Sequence, residues 1–107
     1  MSTDLQLTNT VRKATLSVLY ENREDELSVE RLYVKVLRHM LPKIPEEQLF
    51  KSVLDKLVKD GYVNLEEDIT GNTIAKLSQK GMELSEKELE HLKRAVDKLA
   101  TKLSTTQ

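Results

Sequence analysis

The sequence predicts a mostly α-helical fold with one small β-hairpin. Apolar residues recur at helical spacing in four segments of the chain. All three glycines lie between residues 60 and 81, where apolar residues instead alternate with polar ones. The length of 107 residues suits one small domain with an extension. The four helices and the hairpin are justified below in chain order.

The first two helices are predicted on either side of a charged linker. The first covers about Thr8 to Tyr20, where apolar residues recur every three or four positions. The linker, "ENREDE", has no apolar residue. Ser28 is a candidate N-cap for the second helix, and Glu30 places a negative charge in its first turn. Pro42 disfavours helical backbone at the preceding residue, so the second helix should end there.

The third helix has the most regular pattern, because its apolar and polar residues separate into opposite arcs at ~100° per residue. Pro45 suits the first helical position, and Gly61 suits a left-handed stop. The apolar side contains Leu49, Phe50, Val53, Leu54, Leu57 and Val58, and the polar side contains Gln48, Lys51, Ser52, Asp55, Lys56 and Lys59.

A hairpin follows the third helix. Val63 and Leu65 alternate with polar residues, and the same alternation recurs in the segment 75–78. The sequence Gly71-Asn72 between these runs is typical of a turn. A two-stranded hairpin is marginally stable in water, so one of its faces should pack on the helices.

The last helix is predicted to begin at Ser85, where Glu88 completes a capping box. Its apolar residues are spaced 3, 4, 3, 4, which is a heptad seam. A short helix is marginal alone, so the seam should pack either on the first helix of the same chain or on a second copy. Because the helix follows a complete domain, we favour a homodimer. The seam consists of Leu89, Leu92, Val96, Leu99 and Leu103.

This order of elements resembles the winged helix-turn-helix domain. The segments "LVKDGYV" and "LSQKGMEL" are similar to the recognition-helix exit and the wing exit of MarR and PadR regulators, with Ser78 where threonine is usual. The resemblance covers roughly Thr8 to Leu84 and extends to small archaeal dimeric winged-helix DNA-binding proteins. It implies three helices plus a wing, a short strand at 26–28, and a C-terminal dimerisation helix.

The resemblance also implies a domain organisation and a function. Residues 1–84 form the winged-helix domain, with disorder left open for 1–7, residues 85–103 form the dimerisation helix, and 104–107 form a tail. The expected protein is a homodimeric DNA-binding transcriptional regulator or chromatin-type protein, whose partners are double-stranded DNA and its own second copy. The candidate DNA contacts are Gln48, Lys51, Ser52, Lys56, Lys59 and Lys76.

Charge supports DNA binding only in part. The segment 29–59 carries a net charge of +3, because seven basic residues oppose four acidic ones. The segment 61–84 sums to −2 and contains Glu66, Glu67 and Asp68 in the wing. These acids are either solvated turn residues that protect a sheet edge or a functional surface. The alternative function is therefore a protein-interaction module in a transcription, replication or membrane-remodelling assembly, acting through the third helix or the wing.

Features of enzymes and membrane proteins are missing from the sequence. There is no cysteine, and the two histidines, His39 and His91, fall on different predicted helices. No phosphate-binding glycine loop or serine-elbow motif occurs. We therefore expect no enzyme activity, no metal and no cofactor. No signal peptide or span-length apolar run is found, so we expect a cytoplasmic protein without membrane insertion.

Overall fold

The computed structural model describes the backbone of residues 2–105 and the side chains of residues 5–103. Within these residues the chain forms a winged helix followed by a long helix, which confirms the predicted fold class. The helices are α1 (Ser2–Glu21), α2 (Val29–Met40), α3 (Glu47–Lys59) and α4 (Gln79–Thr105), and the strands are β1 (Leu27–Ser28), β2 (Val63–Glu67) and β3 (Thr73–Leu77).

The core lies between α1, α2 and α3 and is closed on one side by the sheet. Its buried apolar residues are aliphatic except for Phe50, whose ring centroid lies 4.9 Å from that of Tyr33. Burying each leucine-class side chain contributes about 1.5–3 kcal/mol. The apolar side predicted for α3 faces this core: Phe50, Val53, Leu54 and Leu57 are buried, and Leu49 and Val58 pack at its edge.

Helix α1 begins six residues earlier than its periodicity predicts, at Ser2 instead of Thr8. No glycine or proline occurs in this segment, so nothing stops the helix from extending beyond its buried part. The helix therefore includes residues 2–7, for which disorder was left open, whereas residue 1 lies outside the described part of the chain.

Two capping predictions for α2 and α3 have opposite outcomes. The Ser28 hydroxyl accepts a hydrogen bond from the Arg31 backbone N–H at 3.2 Å, as predicted. The prediction that Pro45 is the first residue of α3 is wrong. Glu46 is the N-cap, and its carbonyl accepts from the Phe50 N–H. Pro45 is instead buried before the helix, and its carbonyl accepts from the Tyr33 hydroxyl at 3.0 Å.

The predicted hairpin is present and belongs to a three-stranded antiparallel sheet with the order β1-β3-β2. Val63 pairs with Leu77 and Leu65 with Ala75 across the hairpin. On the other edge Leu27 also pairs with Ala75, and it is buried. The third strand supplies the support that an isolated hairpin lacks.

Helix α4 begins at Gln79, so the prediction that Ser85 starts it is wrong. Ser78 is the capping residue: its hydroxyl accepts from the Gly81 N–H at 3.1 Å and donates to the Gly61 carbonyl. Ser85 lies buried inside the helix, and among the described residues its hydroxyl has no hydrogen-bond partner. The misleading signal was Gly81, because a glycine commonly breaks a helix.

Gly81 is required by packing. A Cβ at this position would lie 2.2 Å from the Tyr62 carbonyl oxygen, because the first turn of α4 packs directly against the α3–β2 connection. The Tyr62 carbonyl also accepts a hydrogen bond from the Ser78 N–H. The wing exit and the start of α4 are therefore one junction.

Beyond this junction α4 makes the molecule elongated, with extents of 59 × 34 × 23 Å. The helix continues to Thr105, so Ser104 and Thr105 of the predicted tail are helical, and residues 106–107 lie outside the described part. Among the described helices, none combines the length and the apolar character that a membrane crossing requires.

Candidate nucleic-acid interface

The exposed side of α3 carries the candidate DNA contacts. Five of the six candidates lie there, and all five are exposed to solvent. With Asp55 they form an arc that covers about 140° of the helix and extends ~16 Å along its axis. A B-DNA major groove is ~12 Å wide and admits one α-helix. We call this set the α3 arc: Gln48, Lys51, Ser52, Asp55, Lys56 and Lys59.

Two carboxylates reduce the positive charge of the α3 arc. Lys51 forms an ion pair with Glu47 one turn earlier, at 3.4 Å between Nζ and Oε1. Both side chains are more than 60% exposed, so this pair contributes at most about 1 kcal/mol and is easily exchanged for a phosphate. Asp55 lies in the arc itself. Among the described residues Lys56 and Lys59 form no ion pair.

A shallow cleft of about 470 Å³ joins α3 to the wing. Its wall includes Ser28 at the start of α2, Lys51 on α3, and Asn72 and Thr73 at the wing turn. The N-terminal ends of α2 and α3 and the wing turn therefore face the same space. The wing-turn residues were not among the sequence candidates, although the Asp-x-Thr-x-Asn spacing of the turn indicated a rigid polar tip.

The wing turn is held by Asp68. Its Oδ1 accepts from the Thr70 hydroxyl at 2.7 Å and from the backbone N–H groups of Thr70 and Asn72 at 2.9 Å. The hydrogen bond from the Thr70 hydroxyl, followed by that from Asn72, lowers the pKa of Asp68 below its ordinary value of 3.8. One of the three wing acids is thus a turn residue. Glu66 and Glu67 remain exposed on β2.

Lys76, the sixth candidate, lies apart from the α3 arc. It is on β3 opposite Asn64, and its ammonium is 3.9 Å from the Glu26 carboxylate before β1. Because Lys76 lies on the sheet and not beside the α3 arc, its role in DNA binding stays a prediction.

A basic stripe on α2 borders the cleft and was not selected from the sequence. Arg31, Lys35 and Arg38 follow one another at i, i+4 and i+7 and flank Val34, which also lines the cleft. The sequence pattern that could have predicted this stripe is the helical spacing of its three basic residues.

The heptad seam on α4 is exposed. Leu89 is 48% exposed, and Leu92, Val96, Leu99 and Leu103 are 63–64% exposed. Packing on the same chain reaches only the start of the seam, where Leu89 and Leu92 border a groove formed with α1. Packing on α1 of the same chain therefore leaves most of the seam exposed to water.

His39 and His91 are both exposed, and no group of histidine, aspartate or glutamate among the described residues could hold a metal ion.

No protein-family model matches this sequence, and no curated protein matches it. Several solved structures are similar to this chain in fold. A MarR-family transcriptional regulator from Silicibacter pomeroyi superimposes with a TM-score of 0.64 at 19% identity, over 91% of this chain and 62% of that chain. A transcriptional regulator from Clostridium thermocellum gives a TM-score of 0.64 at 15% identity, over 89% and 91% of the two chains.

The third example is MepR from Staphylococcus aureus in complex with DNA, with a TM-score of 0.60 at 17% identity, over 99% of this chain and 88% of that chain. At these identities the similarity establishes the winged-helix fold.

Proposed function

We propose that this protein is a homodimeric winged-helix DNA-binding protein that acts as a transcriptional regulator or chromatin-type protein. The observation that carries the proposal is the α3 arc, a polar and lysine-bearing helix face that lies beside the wing turn. The similar solved structures named above are described as transcriptional regulators, and one of them is a complex with DNA.

Within the arc the side chains suit two kinds of contact. Gln48 near the N-terminus of α3 has the amide that pairs with the adenine edge, and Ser52 one turn later can bond any base. Lys51, Lys56 and Lys59 supply phosphate or guanine contacts. These roles require α3 to enter the major groove by its N-terminal half.

The α2 stripe adds phosphate contacts. Arg31, Lys35 and Arg38 lie on the helix that precedes the recognition helix, and in helix-turn-helix domains that helix crosses the DNA backbone. These three charges outnumber the two carboxylates that line the cleft, Glu30 and Glu47. The wing then approaches the duplex by Asn72 and Thr73, while Glu66 and Glu67 stay away from the phosphates.

Fluorescence anisotropy with a random-sequence duplex at ~50 mM salt tests this proposal. The variant Lys51→Ala/Lys59→Ala should weaken binding to all sequences. The slope of log affinity against log salt should flatten by about 0.9 for each lysine–phosphate pair that the variant removes, which is about 3.6 when both subunits bind. The matched control, Lys87→Ala/Lys98→Ala on α4, removes the same charge and should change neither quantity.

The alternative function has a distinct outcome. If micromolar protein shows no binding to DNA at ~50 mM salt, where phosphate contacts are strongest, the DNA-binding proposal is wrong. The acidic residues of the wing would then favour an interaction module for a protein partner, captured through α3 or the wing.

A further inference from the structure

We propose that the outer edge of β2 binds an extended, basic segment of a partner protein, which adds to the wing as a fourth strand. We call this edge, residues 63–67, the wing edge. The proposal goes beyond DNA binding, which uses the α3 arc and the wing turn. In the proposed complex with DNA, Glu66 and Glu67 stay away from the phosphates, so the wing edge remains available to a partner.

The first observation is that β2 has an unpaired side. The sheet order β1-β3-β2 places β2 at the outside, so only one of its sides pairs with β3. Opposite residues of an antiparallel pair alternate between hydrogen-bonded and non-hydrogen-bonded pairs. At the start of the hairpin the Tyr62 carbonyl accepts from the Ser78 N–H at 2.9 Å. At its turn the Asn72 carbonyl accepts from the Asp68 N–H at the same distance.

These two end pairs determine which backbone groups of β2 are free. They lie an even number of residues apart on the strand, so the hydrogen-bonded positions between them are Asn64 and Glu66. The N–H and C=O groups of Val63, Leu65 and Glu67 therefore point away from β3. Val63 is buried, which leaves Leu65 and Glu67 accessible. Among the described residues neither of these two has a backbone hydrogen bond outside the sheet, so both can pair with another strand.

The second observation is the chemistry of the side chains along the wing edge. Leu65, Glu66 and Glu67 are exposed, and among the described residues neither glutamate forms an ion pair. Asp68 differs, because its carboxylate already holds the wing turn. Cross-strand neighbours of opposite charge stabilise a sheet, and so do apolar pairs. The wing edge therefore suits a strand that carries two basic residues beside an apolar one.

The register specifies the order of these residues in the partner. Both existing strand pairs of the sheet are antiparallel, and antiparallel pairing is slightly more stable per residue than parallel pairing. In an antiparallel fourth strand, basic residues lie opposite Glu67 and Glu66, and an apolar residue lies opposite Leu65. The expected segment therefore reads basic, basic, apolar, polar in its own chain order.

A second copy of this chain suits the wing edge poorly. Pairing of two wings edge to edge would bring Glu66 and Glu67 of both copies onto one ladder, where like charges are destabilising. Charged side chains on an edge strand oppose such self-association. The same carboxylates attract a strand of opposite charge, so the occupant with the best fit is a basic segment of a different protein.

Binding of a fluorescein-labelled peptide, GSKRVTGS, to the full chain tests the proposal by fluorescence anisotropy. At ~150 mM salt the attraction between distant exposed charges is screened. Binding should saturate with a dissociation constant below ~1 mM. The variant Glu66→Lys/Glu67→Lys should bind this peptide about tenfold more weakly and should bind GSEEVTGS instead.

The matched control for the charge reversal is Glu24→Lys/Glu86→Lys. It makes the same change of charge at exposed positions outside the wing, so it should bind the basic peptide as the wild type does. Circular dichroism checks that both variants are folded. Equal weakening by the control and by Glu66→Lys/Glu67→Lys would show that net charge, and not the wing edge, attracts the peptide, which would overturn the proposal.

Backbone methylation separates strand addition from attraction by charge alone. In the expected register the valine N–H of the peptide donates to the Leu65 carbonyl, whereas the threonine N–H points away from the wing. Methylation of the valine nitrogen should weaken binding about tenfold, because it removes this bond and places a methyl group against the edge. Methylation of the threonine nitrogen keeps the charge and composition and should change binding less than about twofold. Equal binding of the two methylated peptides would overturn the proposal.

Amide hydrogen exchange locates the bound strand. In the free protein the amides of Leu65 and Glu67 should exchange faster than those of Asn64 and Glu66, and saturating peptide should slow the first two about tenfold. A peptide that binds without protecting Leu65 and Glu67 would overturn the proposal. No binding at ~1 mM peptide would also overturn it and would show that the glutamates only protect the edge from aggregation. None of these results depends on DNA binding by the α3 arc.

Discussion

At the scale of single residues, Gly61 ends α3 with a φ of +84°. This left-handed conformation is open to glycine and strained for a β-branched side chain. Gly61→Val should therefore lower the free energy of unfolding by more than ~1 kcal/mol. Gly61→Asn is the control, because asparagine tolerates this conformation and should cost less. Thermal melts followed by circular dichroism provide the measurement, and a melt unchanged by valine would contradict the assignment.

Ser78 is the second residue with a testable role. Its hydroxyl both donates to the Gly61 carbonyl and accepts from the Gly81 N–H, so one side chain joins the end of α3 to the start of α4. Ser78→Ala should cost about 1–2 kcal/mol of stability, at the upper end of measured N-cap losses. Ser78→Thr keeps the hydroxyl and should stay within ~0.5 kcal/mol of the wild type in the same urea denaturation series. Equal losses for both variants would show that the hydroxyl is not the cause.

Residue-level prediction succeeded where the cause is local. The left-handed stop at Gly61 and the Ser28 cap follow from the chemistry of one or two neighbouring residues. The prediction that α4 starts at Ser85 was wrong, because Ser85 and Glu88 have the local sequence of a capping box that is as favourable as the cap at Ser78. What decides between Ser78 and Ser85 is the close approach of Gly81 to the Tyr62 carbonyl, a contact between residues far apart in sequence.

At the scale of elements, the stability of the wing turn should depend on pH. Unfolded Asp68 protonates near 3.8, and folded Asp68 protonates at lower pH because the Thr70 hydroxyl and the Asn72 N–H bond its carboxylate. These bonds stabilise the turn fully above the unfolded pKa and are lost as the pH falls through the folded pKa.

The corresponding prediction is an NMR titration of the Thr70 and Asn72 backbone amides with a midpoint below 3.8. Thr70→Val removes the hydroxyl bond and should move the midpoint upward, toward the unfolded value. A wild-type midpoint at or above 3.8 would show that the turn is not held by this carboxylate.

Elements were predictable where one period dominates the sequence. The apolar and polar arcs of α3 predicted which face packs on the core and which face carries five of the six candidate contacts. The alternation of apolar and polar residues predicted the hairpin. The start of α3 was misplaced because Pro45 is held by Tyr33, which comes twelve residues earlier. The contribution of the wing turn to the cleft could not be predicted from any one segment, because the cleft forms only when α2, α3 and the wing pack together.

At the scale of the whole molecule, the exposed seam predicts a concentration-dependent dimer. Leu92→Glu/Leu99→Glu should give a folded monomer, because each buried leucine-class side chain contributes about 1.5–3 kcal/mol and a charge cannot replace it. Sedimentation velocity at micromolar concentration measures the change, and circular dichroism confirms that the winged-helix domain stays folded.

The matched control for this variant is His91→Glu/Thr101→Glu. It adds the same charge to exposed positions of α4 that lie outside the seam, so the dimer should persist. A monomeric control would show that charge, rather than loss of the seam, separates the subunits.

If the proposed DNA binding is correct, the junction at Tyr62 restricts the spacing of the two DNA half-sites. Hydrogen bonds from Ser78 and from Lys80, whose ammonium donates to the Asp60 carbonyl at 2.8 Å, fix the root of α4 to the end of α3. In the proposed homodimer α3 and α4 of each subunit therefore move as one rigid body, and the distance between the two copies of α3 is set when the subunits associate. We expect little tolerance for spacer length between half-sites. One inserted base pair should rotate the second half-site by ~35° and cost more affinity than most single-base mismatches.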